Sequence, residues 1–161
     1  MADSLVLVTG ATGTVGTAVL ADLKGKPGIK LRALVRNPDK AATLVEEGYE
    51  AVLGDLEEPD TLPQAFDGVD VLFLLTPASA LEPSMGSNAV TAARHAGVKH
   101  IVLNSGDQGS ARRSKPKRPP ARAGRGCGKA CGIPWTILKP HYYTQNMLSS
   151  ASSVASEGCC T

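Results

Sequence analysis

The first 126 residues contain no cysteine; all four, Cys127, Cys131, Cys159 and Cys160, come late. No apolar run approaches the roughly 18 residues needed to cross a bilayer, so no membrane span is expected. Met1-Ala2-Asp3-Ser4 has no basic stretch and leads straight into a strand-like segment, which predicts no signal peptide and a cytoplasmic location. Acid is missing between Ser110 and Cys131, where eight Lys or Arg fall. The rest of the chain has nine basic and fifteen acidic residues, so the formal charge of +2 conceals a mildly acidic protein with a basic segment set into it. Core-forming residues are missing too: from Asn104 to Gly132 there is no Val, Ile, Leu, Met or aromatic. Such a segment cannot bury enough apolar surface to offset its ordering entropy, and disorder is expected over 105–131.

Other absences limit what the basic segment can do. Arg112, Arg113, Lys115, Lys117, Arg118, Arg122, Arg125 and Lys129 carry charge that could meet phosphates. No aromatic lies among them to stack bases and no recognition-helix pattern accompanies them, which argues against a nucleic-acid partner. Cys127 and Cys131 lack the two-residue spacing usual for zinc, and His141, ten residues on, supplies only a third ligand. No metal site is expected. Cys159-Cys160 reads as an unpaired, reactive tail over 159–161.

What the chain does have is a regular alternation. Leu5 to Val8 is a short continuous apolar run, as in a strand buried on both faces of a parallel sheet. Val15, Val19, Leu20 and Leu23 recur at helical spacing up to Gly25. Leu31–Val35 predicts a second strand; Asn37 as cap and Pro38 as first residue predict a helix carrying Ala41, Leu44 and Val45. Ala51–Leu53, Val71–Leu75, His100–Leu103 and Trp135–Leu138 predict four more strands. Helices are expected over Pro59–Phe66, Pro83–Ala96 and Thr144–Ala155. Alternation at this pace predicts an α/β fold: a doubly wound parallel sheet of about six strands over 1–158, with its ligand beyond the strands' carboxyl ends. His95 and His100, beside Gly97, read as surface residues.

The loop Gly10-Ala11-Thr12-Gly13-Thr14-Val15-Gly16 follows a buried strand and opens an amphipathic helix, the setting that makes a glycine-rich motif a dinucleotide site. Gly10 permits a tight turn, Gly13 lets backbone amides approach a pyrophosphate, and Gly16 lets the helix pack closely. The diphosphate then lies at the positive end of that helix. After the second strand comes Arg36, with no acid until Asp39, so NADP(H) is preferred and NAD(H) is the lesser cofactor; a solvated loop arginine is the alternative. Asp55 ends the third strand, either accepting from an adenine amine or starting and capping its loop. Thr76-Pro77 either flanks the cofactor's central ribose or simply ends the fourth strand.

Taken together, the glycine loop, Leu34-Val35-Arg36-Asn37-Pro38, Gly54-Asp55-Leu56, Gly68–Leu74, Ala96–Val102 and Gly132–Pro140 with Gln145-Asn146 resemble the NmrA-like atypical short-chain dehydrogenase/reductases. The resemblance covers roughly 1–109 and 132–158. It implies an NAD(P)-binding Rossmann fold in which Gly10, Gly13, Gly16, Arg36, Asp55 and Thr76 touch the cofactor, with Ala11, Thr12, Thr14, Val15, Leu56 and Pro77 beside them. It further implies an NADPH-dependent reductase of a small acceptor such as a quinone. The alternatives are a non-catalytic redox sensor signalling to a regulatory protein partner, and an inactive remnant. Ordinary short-chain dehydrogenases pair a Tyr with a Lys four residues later. Here the residues four beyond Tyr49, Tyr142 and Tyr143 are Leu53, Asn146 and Met147, so no catalytic residue is assigned. His141, Tyr142 and Tyr143 are the candidates for lining the nicotinamide end. The family's helix between strands five and six gives way to the basic Ser110–Cys131 segment, and its C-terminal substrate region is largely absent. Both departures predict a shifted reading frame or truncation with the dinucleotide half intact.

Overall fold

The computed structural model describes residues 3–77, 81–104 and 132–140. The segment 105–131, the helix expected over 144–155, His141, Tyr142, Tyr143 and all four cysteines lie outside the described residues.

Six strands form one parallel sheet: β1 (Ser4–Val8), β2 (Ile29–Val35), β3 (Glu50–Leu53), β4 (Val71–Leu74), β5 (His100–Asn104) and β6 (Trp135–Leu138). Their order is β3-β2-β1-β4-β5-β6. The chain starts at the middle of the sheet, builds outward to one side, then returns to the centre and builds to the other. That reversal leaves a crevice at the carboxyl ends of β1 and β4, the place where doubly wound sheets bind ligands. Val8 is in register with Ala33 on one side and Phe73 on the other, so β1 is bonded on both edges.

Among the described residues four α-helices flank the sheet: α1 (Thr14–Leu23), α2 (Pro38–Glu46), α3 (Leu62–Phe66) and α4 (Glu82–His95). Successive strand residues point to opposite faces, so the apolar runs feed two cores. Leu7, Leu34, Leu72, Leu74 and Ile101 pack with Leu62, Phe66, Met85, Ala89 and Ala93 from α3 and α4. Val6, Val8, Ala33, Val35 and Phe73 pack with Leu20 and Leu44 from α1 and α2. This is why the strands read as unbroken hydrophobic stretches. Both faces are covered.

Several element ends shift by one or two residues from expectation, and some differences have a local reason. The helix expected over Pro59–Phe66 opens as a 3₁₀ turn, Pro59–Thr61, because Thr61 N–H bonds the Glu58 carbonyl at 3.0 Å. Strand β4 stops one residue before Leu75, whose N–H bonds the Thr9 hydroxyl at 2.8 Å. His100, expected at the surface, is partly exposed in β5, and its Nε2 lies 2.9 Å from Thr136 Oγ1 on β6. Asn37 does cap α2, accepting from Asp39 N–H at 2.7 Å.

At the amino-terminal edge of the sheet Asp70 joins three strands. Its carboxylate accepts from Leu5 N–H at 2.9 Å and pairs with Lys99 Nζ at 2.7 Å, and its carbonyl accepts from Lys99 and His100 N–H. Lys99 first, and Leu5 N–H second, hold the Asp70 carboxyl below its usual range.

Candidate functional site

The crevice is a cleft of about 470 Å³ at the carboxyl ends of β1, β2, β3 and β4. That volume lies within the range of roughly 300–1,000 Å³ typical of small-molecule sites. Its floor is the turn from β1 into α1. Gly10 sits at φ +61°, a conformation that L side chains rarely adopt, and a Cβ there would press on Leu75 at 3.0 Å. Gly16 is tighter: a Cβ would lie 2.1 Å from the Gly10 carbonyl oxygen and 2.7 Å from Ala11 Cα. Helix α1 therefore closes directly onto the loop's own backbone. Gly13 differs from both. It has φ −88°, and among the described residues beyond its chain neighbours an added Cβ would come nearest the Gly10 carbonyl oxygen, at an ordinary 3.4 Å. The fold itself does not demand its bare Cα.

No side chain caps α1, and its first turn holds no acid. The leading amides of that helix are left for whatever occupies the cleft. Thr9 fixes the turn from beneath. Its hydroxyl donates to the Leu75 carbonyl and accepts from Leu75 N–H, both at 2.8 Å, while its own N–H bonds the Phe73 carbonyl. The residue is fully buried, and these bonds clamp the ends of β1 and β4 on either side of the crevice.

Of the residues expected to touch a cofactor, Gly10, Ala11, Thr12, Gly13, Thr14, Val15, Arg36, Asp55, Leu56, Thr76 and Pro77 line this cleft. Gly16 stands behind it. Arg36 and Asp55 face one another across the mouth, with Arg36 Nη1 3.7 Å from Asp55 Oδ2. Asp55 also starts its loop as a local cap, Oδ1 accepting from Glu57 N–H at 2.9 Å. Leu56 is buried, and its carbonyl accepts from Asn88 Nδ2 at 2.8 Å, which ties this wall of the cleft to α4. Thr9, Leu34, Val35, Gly54, Leu75 and Met85 complete the lining. Four of these six end strands or follow them, a position legible from the strand pattern; Met85, from α4, carries no such signal. Among the described residues, two carboxyls with shifted titration lie off the lining: Asp70, and Glu82, which burial pushes up. Among the described residues no cluster of His, Cys, Asp or Glu could hold a metal ion, and no helix is long and apolar enough to cross a membrane.

A bare-glycine loop beneath an uncapped helix start, opening into a cleft with an arginine at its rim, fits a dinucleotide's diphosphate and ribose. Known proteins agree. The chain is 37% identical over 160 residues to an NAD(P)H azoreductase of Xenophilus azovorans, covering 96% of this chain and 54% of that one. The NADP(H) complex of Citrobacter triphenylmethane reductase superposes with a TM-score of 0.78 at 30% identity, over 95% of this chain and 55% of that one. The NADPH complex of the Escherichia coli quinone oxidoreductase QOR2 gives 0.79 at 30% identity, over 95% and 54%. The chain thus spans about half the length of these relatives. The model of the NAD(P)H-binding family matches residues 10–158, from the first glycine of the loop to well beyond the sixth strand, and the chain belongs to that family.

Proposed function

We propose that this chain binds NADPH in the cleft and, as part of a reductase, serves hydride transfer to a small electron-poor acceptor such as a quinone or a dye. The observation that carries the reading is Gly13. Among the described residues the nearest atom to the place of its missing Cβ is the Gly10 carbonyl oxygen at 3.4 Å, an ordinary contact, so the fold has room for a side chain there and the bare Cα serves a ligand's approach to the head of α1. Gly10, Ala11, Thr12, Gly13, Thr14 and Val15 would cradle the diphosphate through backbone amides. Thr76 and Pro77 would flank the central ribose, and Asp55 and Leu56 the adenine. Arg36, two-thirds exposed at the rim, would meet a 2′-phosphate. Bound NADPH supplies the hydride; the chain's own residues hold and orient it. The acceptor class rests on relatives whose names describe azo, triphenylmethane and quinone reduction.

Arg36→Ala is expected to weaken NADPH binding by about tenfold or more, the worth of one charge-assisted contact, and to leave NADH binding nearly unchanged. Calorimetric titration with both nucleotides measures this. Equal weakening of the two would contradict the assignment of Arg36.

A further inference from the structure

We infer that Asp55 sets how strongly the cleft favours NADPH over NADH, by holding the Arg36 guanidinium in an ion pair with which a 2′-phosphate has to compete. This rests on the reading of the cleft as a dinucleotide site. Among the described residues lining it, Arg36 and Asp55 are the only two that carry charge. A dianionic phosphate arriving at Arg36 therefore meets one cation and, 3.7 Å from that cation, one fixed anion.

The two partners are not equally free. Asp55 is pinned by its loop: Oδ1 accepts from Glu57 N–H at 2.9 Å, and its own N–H bonds Thr61 Oγ1 at 2.9 Å. Its side chain is 27% exposed, against 66% for Arg36. The carboxylate is the fixed post and the guanidinium the moving arm. NADH, without the phosphate, leaves the pair intact. NADPH has to share the guanidinium with Asp55 or draw it away, and it takes up the repulsion between phosphate and carboxylate. Any contact between Asp55 and the adenine is common to both nucleotides and cancels in their ratio. The preference expected from Arg36 alone is thus reduced by a neighbour on a different strand.

The test is calorimetry of NADPH and NADH on the wild type, Asp55→Asn, Arg36→Ala and the double variant. Asparagine keeps the Oδ1 acceptor for Glu57 N–H and removes the charge. The ratio Kd(NADH)/Kd(NADPH) should rise about two- to fivefold in Asp55→Asn, the scale of an exposed ion pair. It should rise by distinctly less when the same change is made in the Arg36→Ala background, where only the phosphate–carboxylate repulsion is left to relieve. Asp55→Ser, which preserves a turn-starting acceptor, should raise the ratio in the same direction if Asp55→Asn folds poorly. A ratio that stays constant or falls, or that rises equally without Arg36, overturns the inference while the cofactor site stands. Failure of the wild type to bind either nucleotide overturns both.

Discussion

Three glycines in one loop serve three different ends, and single substitutions should separate them. Gly16→Ala places a methyl 2.1 Å from the backbone oxygen of Gly10, where no side-chain movement relieves the clash. We expect a loss of about 1–3 kcal/mol in stability, visible as a lower Tm, with nucleotide binding lost alongside it. Gly13→Ser meets no such obstacle and adds a capping hydroxyl to α1, so Tm should hold or rise slightly. Nucleotide affinity should nevertheless fall about tenfold or more, because the new side chain fills the diphosphate's space. Equal effects of the two on Tm would refute the distinction. Thr9 makes a further case. Thr9→Val removes a buried hydroxyl that both donates to and accepts from Leu75, and should cost about 1–3 kcal/mol in thermal or denaturant melts. An unchanged melt would show that the clamp contributes nothing. The glycines were legible in the sequence because their spacing after an apolar run is a motif. Thr9 was not, since its partner is sixty-six residues away and only the fold brings Leu75 to it.

Elements were legible where period and punctuation agreed. The strands announced themselves as apolar runs, and the two cores explain why those runs do not alternate. Asn37-Pro38 marked the start of α2 from local chemistry alone. What escaped were contacts between elements: the early end of β4, the pairing of His100 with Thr136, and the tie from Asn88 to Leu56. Each depends on which strand or helix lies alongside. The Asp70 joint is the same kind of feature, and it has a consequence in acid. Lys99 and Leu5 N–H hold the folded-state carboxyl below its reference value of 3.8, so ionised Asp70 favours the folded chain. That stabilisation is fully present above the unfolded value and is lost as pH falls through the lowered folded one. Asp70→Asn should therefore lower stability at neutral pH, with the gap to wild type narrowing below about pH 4. Denaturant melts from pH 7 to pH 2.5 measure the gap, and a constant difference across that range would exclude the carboxylate as its source.

For the molecule as a whole, the sheet order places the loop of β1, the rim of β2 and the ends of β3 and β4 around one cleft. On the proposed reading this arrangement holds a dinucleotide and prefers the phosphorylated one. Calorimetric titration of the folded 161-residue chain with NADPH and then NADH, with thermal melts on the same samples, tests it most directly. Saturable binding of both is expected, tighter for NADPH, with a Tm that climbs with nucleotide concentration because only the folded state binds. A folded chain that gives no binding heat and no shift in Tm with either nucleotide would contradict it.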